Sequence, residues 1–200
     1  MSNNNEYSRP DHYTKKAKAQ GFAARSVFKL EEIHQRHRIF QRGDAVIDLG
    51  CAPGSWSRYA NQRTGEPLVG VDLVEVKSVP GTFLLGSVFD ITPEALLAPL
   101  GRRADVILSD MAPLTTGDRF GDHVRQIELA RRGLQLARQT GRPGATFVVK
   151  IFDGEDAPAL LAELRAAFTS VKRLKPDATR DRSVEFFAIG LGLKNPEGLV

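Results

Sequence analysis

The chain of 200 residues carries one cysteine, Cys51. No disulfide can close within it, so a disulfide framework is excluded and a reducing cytoplasm is the expected compartment. No apolar run approaches the ~20 residues that a membrane-spanning helix needs, so no membrane association is expected. The opening stretch MSNNNEYSRPDHYTKK has no apolar centre of the kind a signal sequence needs, and residues 1–20 read as a flexible basic lead-in. The fingerprints G-x-G-x-x-G and G-x-x-x-x-G-K-[ST] are both missing, which disfavours a pyrophosphate cradle. Histidine is scarce. His34 and His37 lie three apart with no third ligand in view, so they read as surface residues and no metal site is expected.

What is present fits one domain with a sizeable core: hydrophobic residues make up 42% and charged residues 26%. The net charge of +4 is unevenly spread. Residues 1–42 hold nine Lys/Arg against four Asp/Glu, whereas residues 43–200 hold nineteen against twenty. A second basic excess lies at 170–182, SVKRLKPDATRDR, with five basic and two acidic residues. Charge runs are most often solvated faces. A clustered positive surface also suits a polyanion such as RNA.

Periodicity gives the architecture. Residues 21–40 read as a helix with Phe22, Leu30, Ile33 and Phe40 inward. Strands and helices then alternate: AVIDLG, the helix SWSRYANQRT, PLVGVDL, TFLLG, the helix TPEALLAPL with its Thr-Pro start signal, ADVILSD, the helix DHVRQIELARRGLQLARQ, ATFVVKIF, the helix APALLAELRAAF, then SVKRLKP and SVEFFAIGLG. The result is an α/β fold of seven strands, mostly parallel and ending antiparallel, with helices on both faces. An ordinary dinucleotide-binding fold is the runner-up.

In such a sheet, ligands bind beyond the carboxyl ends of the strands. DLGCAPGSWS, residues 48–57, is the turn after the first strand, and Gly54 permits close backbone approach to a ligand. Asp72 ends the second strand, where a carboxylate can accept from two ribose hydroxyls. The third strand ends in LLGSVFD, and its terminus would reach an adenine ring. Trp56 suits either a core anchor or a cofactor contact, and Cys51 reads as a packing residue. Asp110 ends the fourth strand. Lys150 and Glu185 sit inside apolar strands, an expensive place for a charge unless it is paired. Lys29 is a further candidate from the first helix, although alone it reads as an exposed helix lysine.

The motifs SVFKL, DLGCAPGSWS, VDL, LSDMAP, FVVKIF and RSVEFF, in this order and spacing, resemble the FtsJ-like ribosomal RNA ribose 2′-O-methyltransferases of the large subunit. The resemblance spans essentially the whole chain. It implies a class I, Rossmann-like, S-adenosylmethionine-dependent methyltransferase fold over 21–200 and no metal. It implies a catalytic tetrad of Lys29, Asp110, Lys150 and Glu185, and cofactor contacts at Gly54, Trp56, Asp72 and Asp110. The family commonly has Gly-Asp after the third strand. Here Ser87 stands in that place, so the adenine contact falls to Ser87 or Asp90.

A ribose 2′-hydroxyl is a poor nucleophile until its proton is being removed, and Lys150 is the expected base. Lys29 and a sulfonium favour its neutral form; Asp110 and Glu185 favour its charged form. The other assignment has a charged Lys150 stabilising the developing alkoxide. Lys15, Lys16, Lys18 and Arg25 are expected to track RNA phosphates, with Arg180 and Arg182 on the other flank. The loop MAPLTTGDRFG is expected to fold over the nucleotide. The expected partner is a uridine of large-subunit ribosomal RNA in the assembled or assembling subunit, met by a monomer. The rivals are transfer RNA or another RNA as substrate, and a non-catalytic assembly factor. An NAD-dependent dehydrogenase is disfavoured by the missing glycine fingerprint.

Overall fold

Seven strands form one sheet in the order β3-β2-β1-β4-β5-β7-β6. The coordinates are a computed structural model, and they describe residues 12–77, 79–114, 117–179 and 183–194. The strands are β1 (Val46–Leu49), β2 (Leu68–Asp72), β3 (Gly81–Leu85), β4 (Ala104–Ser109), β5 (Gly141–Phe152), β6 (Phe168–Leu174) and β7 (Glu185–Leu193). The first five pair in parallel, and β7 pairs antiparallel with both β5 and β6. The antiparallel ending expected from the sequence calls for the last two strands to pair with each other. They do, and β7 also inserts beside β5.

Central parallel strands are covered on both faces, so they read as continuous apolar runs. Every residue of β1 and β4 is buried, whereas the edge strand β3 is largely open. Alternate residues divide between two cores. Ile47, Leu49, Ile107, Phe147, Val149 and Phe186 face one layer with α4 (Pro93–Leu97), α5 (Arg119–Thr140) and α6 (Ala157–Ala167). Val46, Val106, Leu108, Val148, Phe187 and Ile189 face the other, with α1 (His12–Ala19), α2 (Val27–His37) and α3 (Ser55–Thr64). By the same two-residue period, Asp48, Asp72, Asp110, Lys150 and Glu185 all fall on the α1–α3 side. Strand order then sets them along one edge.

Local chemistry sets the helix starts. Thr92 accepts from Ala95 N at 3.3 Å with Pro93 in the first turn, as the Thr-Pro signal predicts. Asp118 accepts from Phe120 N at 3.2 Å and opens α5 three residues earlier than the periodicity suggests. The expected helix over 21–40 is shorter. It runs from Val27 to His37 and stops at Arg38, whose φ of 51° is left-handed. Residues 12–19, expected as flexible lead-in, form α1 instead. Ala17 is buried, and the Tyr13 and Phe28 rings lie 5.7 Å apart. An eight-residue helix gains its stability from such packing rather than from propensity.

The turn after β1 needs its first glycine. Gly50 has φ 78°, and a Cβ there would lie 2.7 Å from Met111 Cγ and 3.1 Å from Met111 N and Cα. Gly50→Ala is expected to cost ~1–3 kcal/mol. Thermal unfolding should therefore show a midpoint several degrees lower, at roughly 2–4 °C per kcal/mol for a domain of this size. An unchanged midpoint would refute the steric account of this turn.

Candidate active site

The four charged residues singled out in the sequence come together as two ion pairs on one face of the sheet. Lys150 lies on β5, 7% exposed. Its Nζ donates to Asp110 Oδ1 at 3.0 Å and to Asp110 O at 2.5 Å. Lys29 Nζ, from α2, pairs with Glu185 Oε1, with side chains 13% and 14% exposed. Lys29 is therefore no exposed helix lysine. The pairs are linked through Phe187, which stands in register with Lys150 and holds its ring 5.9 Å from Lys29 Nζ. Each charge has a counter-charge, as burial demands.

The turn after β1 and the end of β2 make a second cluster. Asp72 Oδ2 accepts from Ala52 N at 2.9 Å and Oδ1 from Val74 N at 3.0 Å. A carboxylate has about four lone-pair sites, so room for hydroxyl donors remains. Gly54 has φ 95° and starts α3. The side chain of Trp56 is a core anchor: it is 3% exposed, Nε1 donates to Ser26 O at 2.9 Å, and its ring lies 5.6 Å from Phe187. After β3, Ser87 Oγ accepts from Phe89 N at 3.2 Å, and Asp90 is exposed.

Two participants escaped the sequence reading. Gln126 is 1% exposed on α5, and its Nε2 donates to Lys150 O at 2.8 Å. A glutamine four residues before Ala130, on the buried face of that helix, was a legible signal. Asp48 is fully buried on β1. Ser57 Oγ donates to its Oδ2 at 2.5 Å, while Oδ1 has no hydrogen-bond partner. Burial, reinforced by Asp110 and Asp72 and opposed by the Ser57 hydroxyl, raises its pKa to about 7. Burial also raises the Cys51 thiol, which makes it a packing group and not a nucleophile.

On the outer side, Lys15, Lys16 and Lys18 are exposed on α1, with Lys16 Nζ 4.7 Å from the Phe28 ring centroid. Arg25 donates to Ala178 O at 2.5 Å, which fastens the start of α2 to the β6–β7 connection. Arg180 and Arg182 lie outside the described residues. His34 is not the plain surface residue expected. Its Nδ1 accepts from Phe40 N at 3.3 Å, its ring packs on Phe40 and Tyr59, and burial lowers its pKa. Among the described residues no three His, Cys, Asp or Glu are placed to hold a metal ion, and no helix is long and apolar enough to cross a membrane.

Comparison with known proteins decides the family. The FtsJ-like methyltransferase family profile matches residues 22–193. The chain belongs to the FtsJ-like methyltransferases. It is 46% identical over 197 residues to the ribosomal RNA large subunit methyltransferase E of Sorangium cellulosum, covering 95% of this chain and 91% of that one. The protein of the same name from Bdellovibrio bacteriovorus is 43% identical, over 94% of this chain and 99% of its own. A crystal structure of a ribosomal RNA methyltransferase from Plasmodium falciparum superposes with a TM-score of 0.77. It covers 87% of this chain and 100% of its own, and at 22% identity it shares the fold. The FtsJ-like chain thus keeps the expected seven-stranded sheet with its antiparallel ending.

Asp48 gives this site a testable signature. Its folded pKa lies above that of the unfolded chain, so the folded state binds the extra proton. Its contribution is fully present below about pH 4 and falls as pH rises to about 7. Asp48→Asn, neutral throughout, is expected to melt higher than the parent at pH 8 and alongside it at pH 4. Melting curves of both proteins across this range check it, and parallel curves would refute it.

Proposed function

We propose that this protein transfers a methyl group from S-adenosylmethionine to a ribose 2′-hydroxyl of large-subunit ribosomal RNA. The observation that carries the reading is the two part-buried ion pairs, Lys150–Asp110 and Lys29–Glu185, at the carboxyl edge of an FtsJ-like sheet. The substrate assignment draws on the names of the relatives that match nearly the full chain.

The residues present fit the cofactor. The Gly54 turn offers backbone for close approach, the carboxylate of Asp72 suits ribose hydroxyls, and Asp48, on the neighbouring strand and the same face, has an Oδ1 without a partner. Bound S-adenosylmethionine would supply an activated, electrophilic methyl group. Because the Trp56 indole is engaged in the core, we assign any Trp56 contact to its main chain. Ser87 already accepts from Phe89 N, so we assign the adenine amino group to the exposed carboxylate of Asp90.

The chemistry of the chain follows from Lys150. Two of its Nζ valences are directed at Asp110, which fixes the ammonium or amine and leaves one valence for the substrate. We assign proton removal to the neutral amine, whose lone pair at that position takes up the 2′-hydroxyl proton. Gln126 holds the Lys150 carbonyl, and Lys29, itself held by Glu185, orients the ribose. Positioning supplies much of the acceleration in such a site. Lys15, Lys16 and Lys18 would bind phosphates from α1, and Arg25 from the turn that precedes α2. We read residues 21–200 as a single methyltransferase unit acting as a cytoplasmic monomer.

The test is transfer from labelled S-adenosylmethionine to large subunits lacking ribose methyls, to the same RNA freed of protein, and to transfer RNA. Label on a 2′-oxygen of large-subunit RNA is the expected result. Label on transfer RNA alone would replace the substrate, and bound cofactor without transfer would favour an assembly factor. Lys150→Ala should lower turnover by ~10²–10⁴-fold while RNA and cofactor binding persist. Replacing Lys15, Lys16 and Lys18 by Ala should weaken RNA binding and reduce its salt slope by roughly one for each phosphate no longer neutralised, read from affinities at several salt concentrations.

A further inference from the structure

Three carboxyl groups stand on three neighbouring strands at one edge of the sheet. Asp48 pairs in register with Gly70 of β2 and Leu108 of β4, so Asp72 and Asp110 each lie two residues beyond its partners, on the same face. They flank it on both sides. Asp110 has Lys150 as counter-ion, and Asp72 accepts two backbone N–H groups. Asp48 has the Ser57 hydroxyl on one oxygen and nothing on the other, and it is fully buried. It is the member of the cluster that burial, and after it the charges of Asp110 and Asp72, shift toward the protonated form.

Resting on the assignment of this edge to S-adenosylmethionine, we propose that Asp48 makes the cofactor pocket sense charge, giving up its proton when the cationic methyl donor binds and keeping it when the neutral, demethylated product binds. The donor carries a sulfonium and an ammonium against one carboxylate. The product, a thioether, has lost the sulfonium charge. Burial is the larger hold on the Asp48 proton and the charges of Asp110 and Asp72 add to it; a positive charge set over those two carboxylates offsets their share and favours the ionised form, and the proton leaves to solvent. The ionised Asp48 then adds attraction for the donor that the product does not receive. The pocket thereby holds donor over product, although the two differ by one methyl and one charge. The pKa of Asp48 lies near 7, so the exchange occurs at neutral pH. Of the other charged groups on this face, Lys150 is tied to Asp110 and Lys29 to Glu185, while the Cys51 thiol is pushed up by burial.

Isothermal titration of donor and of product, from pH 5.5 to 8.5 and in buffers of different ionisation heat, tests this without turnover. The donor should tighten about tenfold across the range and release a fraction of a proton near pH 7, with ~1.4 kcal/mol per tenfold. The affinity of the product should stay within about twofold of constant. Asp48→Asn should abolish the difference, and any titration of the ligands' own amino groups remains in that variant and is subtracted. Ser57→Ala removes the hydrogen bond that favours the ionised form, so it should move the transition to higher pH. Equal pH dependence for donor and product, or an unchanged one in Asp48→Asn, overturns the proposal. Binding of neither ligand would overturn the cofactor assignment itself.

Discussion

β7 runs against the other strands of the sheet it joins, and the candidate site depends on that reversal. Because β7 is antiparallel to β5, its first residue stands opposite the last of β5, Phe152 against Glu185. A parallel strand would bring its far end to this edge. The reversal also places Phe187 beside Lys150 and beneath Lys29. Glu185 then fixes Lys29, and with it α2. The connection leading into β7 reinforces this: Arg25 donates to Ala178 O, and Asp177 N donates to Glu32 Oε2 at 2.8 Å. The helix that presents Lys29 is thus fastened to the segment that precedes Glu185 as well as to Glu185 itself.

Much of this was legible in the sequence because it is local or periodic. Strands alternating with helices give a covered parallel sheet, and polar residues at the ends of apolar runs mark the carboxyl edge. Lys150 and Glu185 stood out because a charge within an apolar strand needs a partner. Which partner each takes is decided by strand order. β7 lies between β5 and β6, and no feature of the ten-residue stretch 175–184 specifies that insertion. Lys29 illustrates the limit. Its helix reads as amphipathic with the lysine near the edge, and only the docking of α2 on β7 buries it.

The residues missed have a common cause. Asp48 was hidden inside a motif read for its glycines, and its burial comes from α3 folding back over β1 so that Ser57 reaches it. Gln126 was passed over because apolar neighbours dominate the face of α5. Helix α1 carries a polar sequence with a single buried alanine, and its order rests on aromatic and cation–π contacts with α2. Trp56 had two open roles, and packing against Phe187 gives its side chain the structural one. In each case tertiary contacts outweigh local propensity.

Apart from the two ion pairs, the charges at this edge are sorted by sign and by depth. Three carboxyl groups lie inside, at the ends of β1, β2 and β4, whereas exposed lysines line α1 outside. For the proposed reaction this arrangement separates two ligands of opposite charge. A cationic methyl donor meets the acidic interior, where low dielectric keeps electrostatic differences large. A polyanionic RNA meets the lysines, where solvent and salt screen each contact beyond about 10 Å at 0.1 M ionic strength. Were the lysines set among the carboxyls, each would neutralise the group the donor needs, as Lys150 does for Asp110. Lys29 and Lys150 alone among the lysines discussed make that crossing, each paired with a carboxylate, and the two bonds from Lys150 to Asp110 fix it between the proposed places of the two ligands.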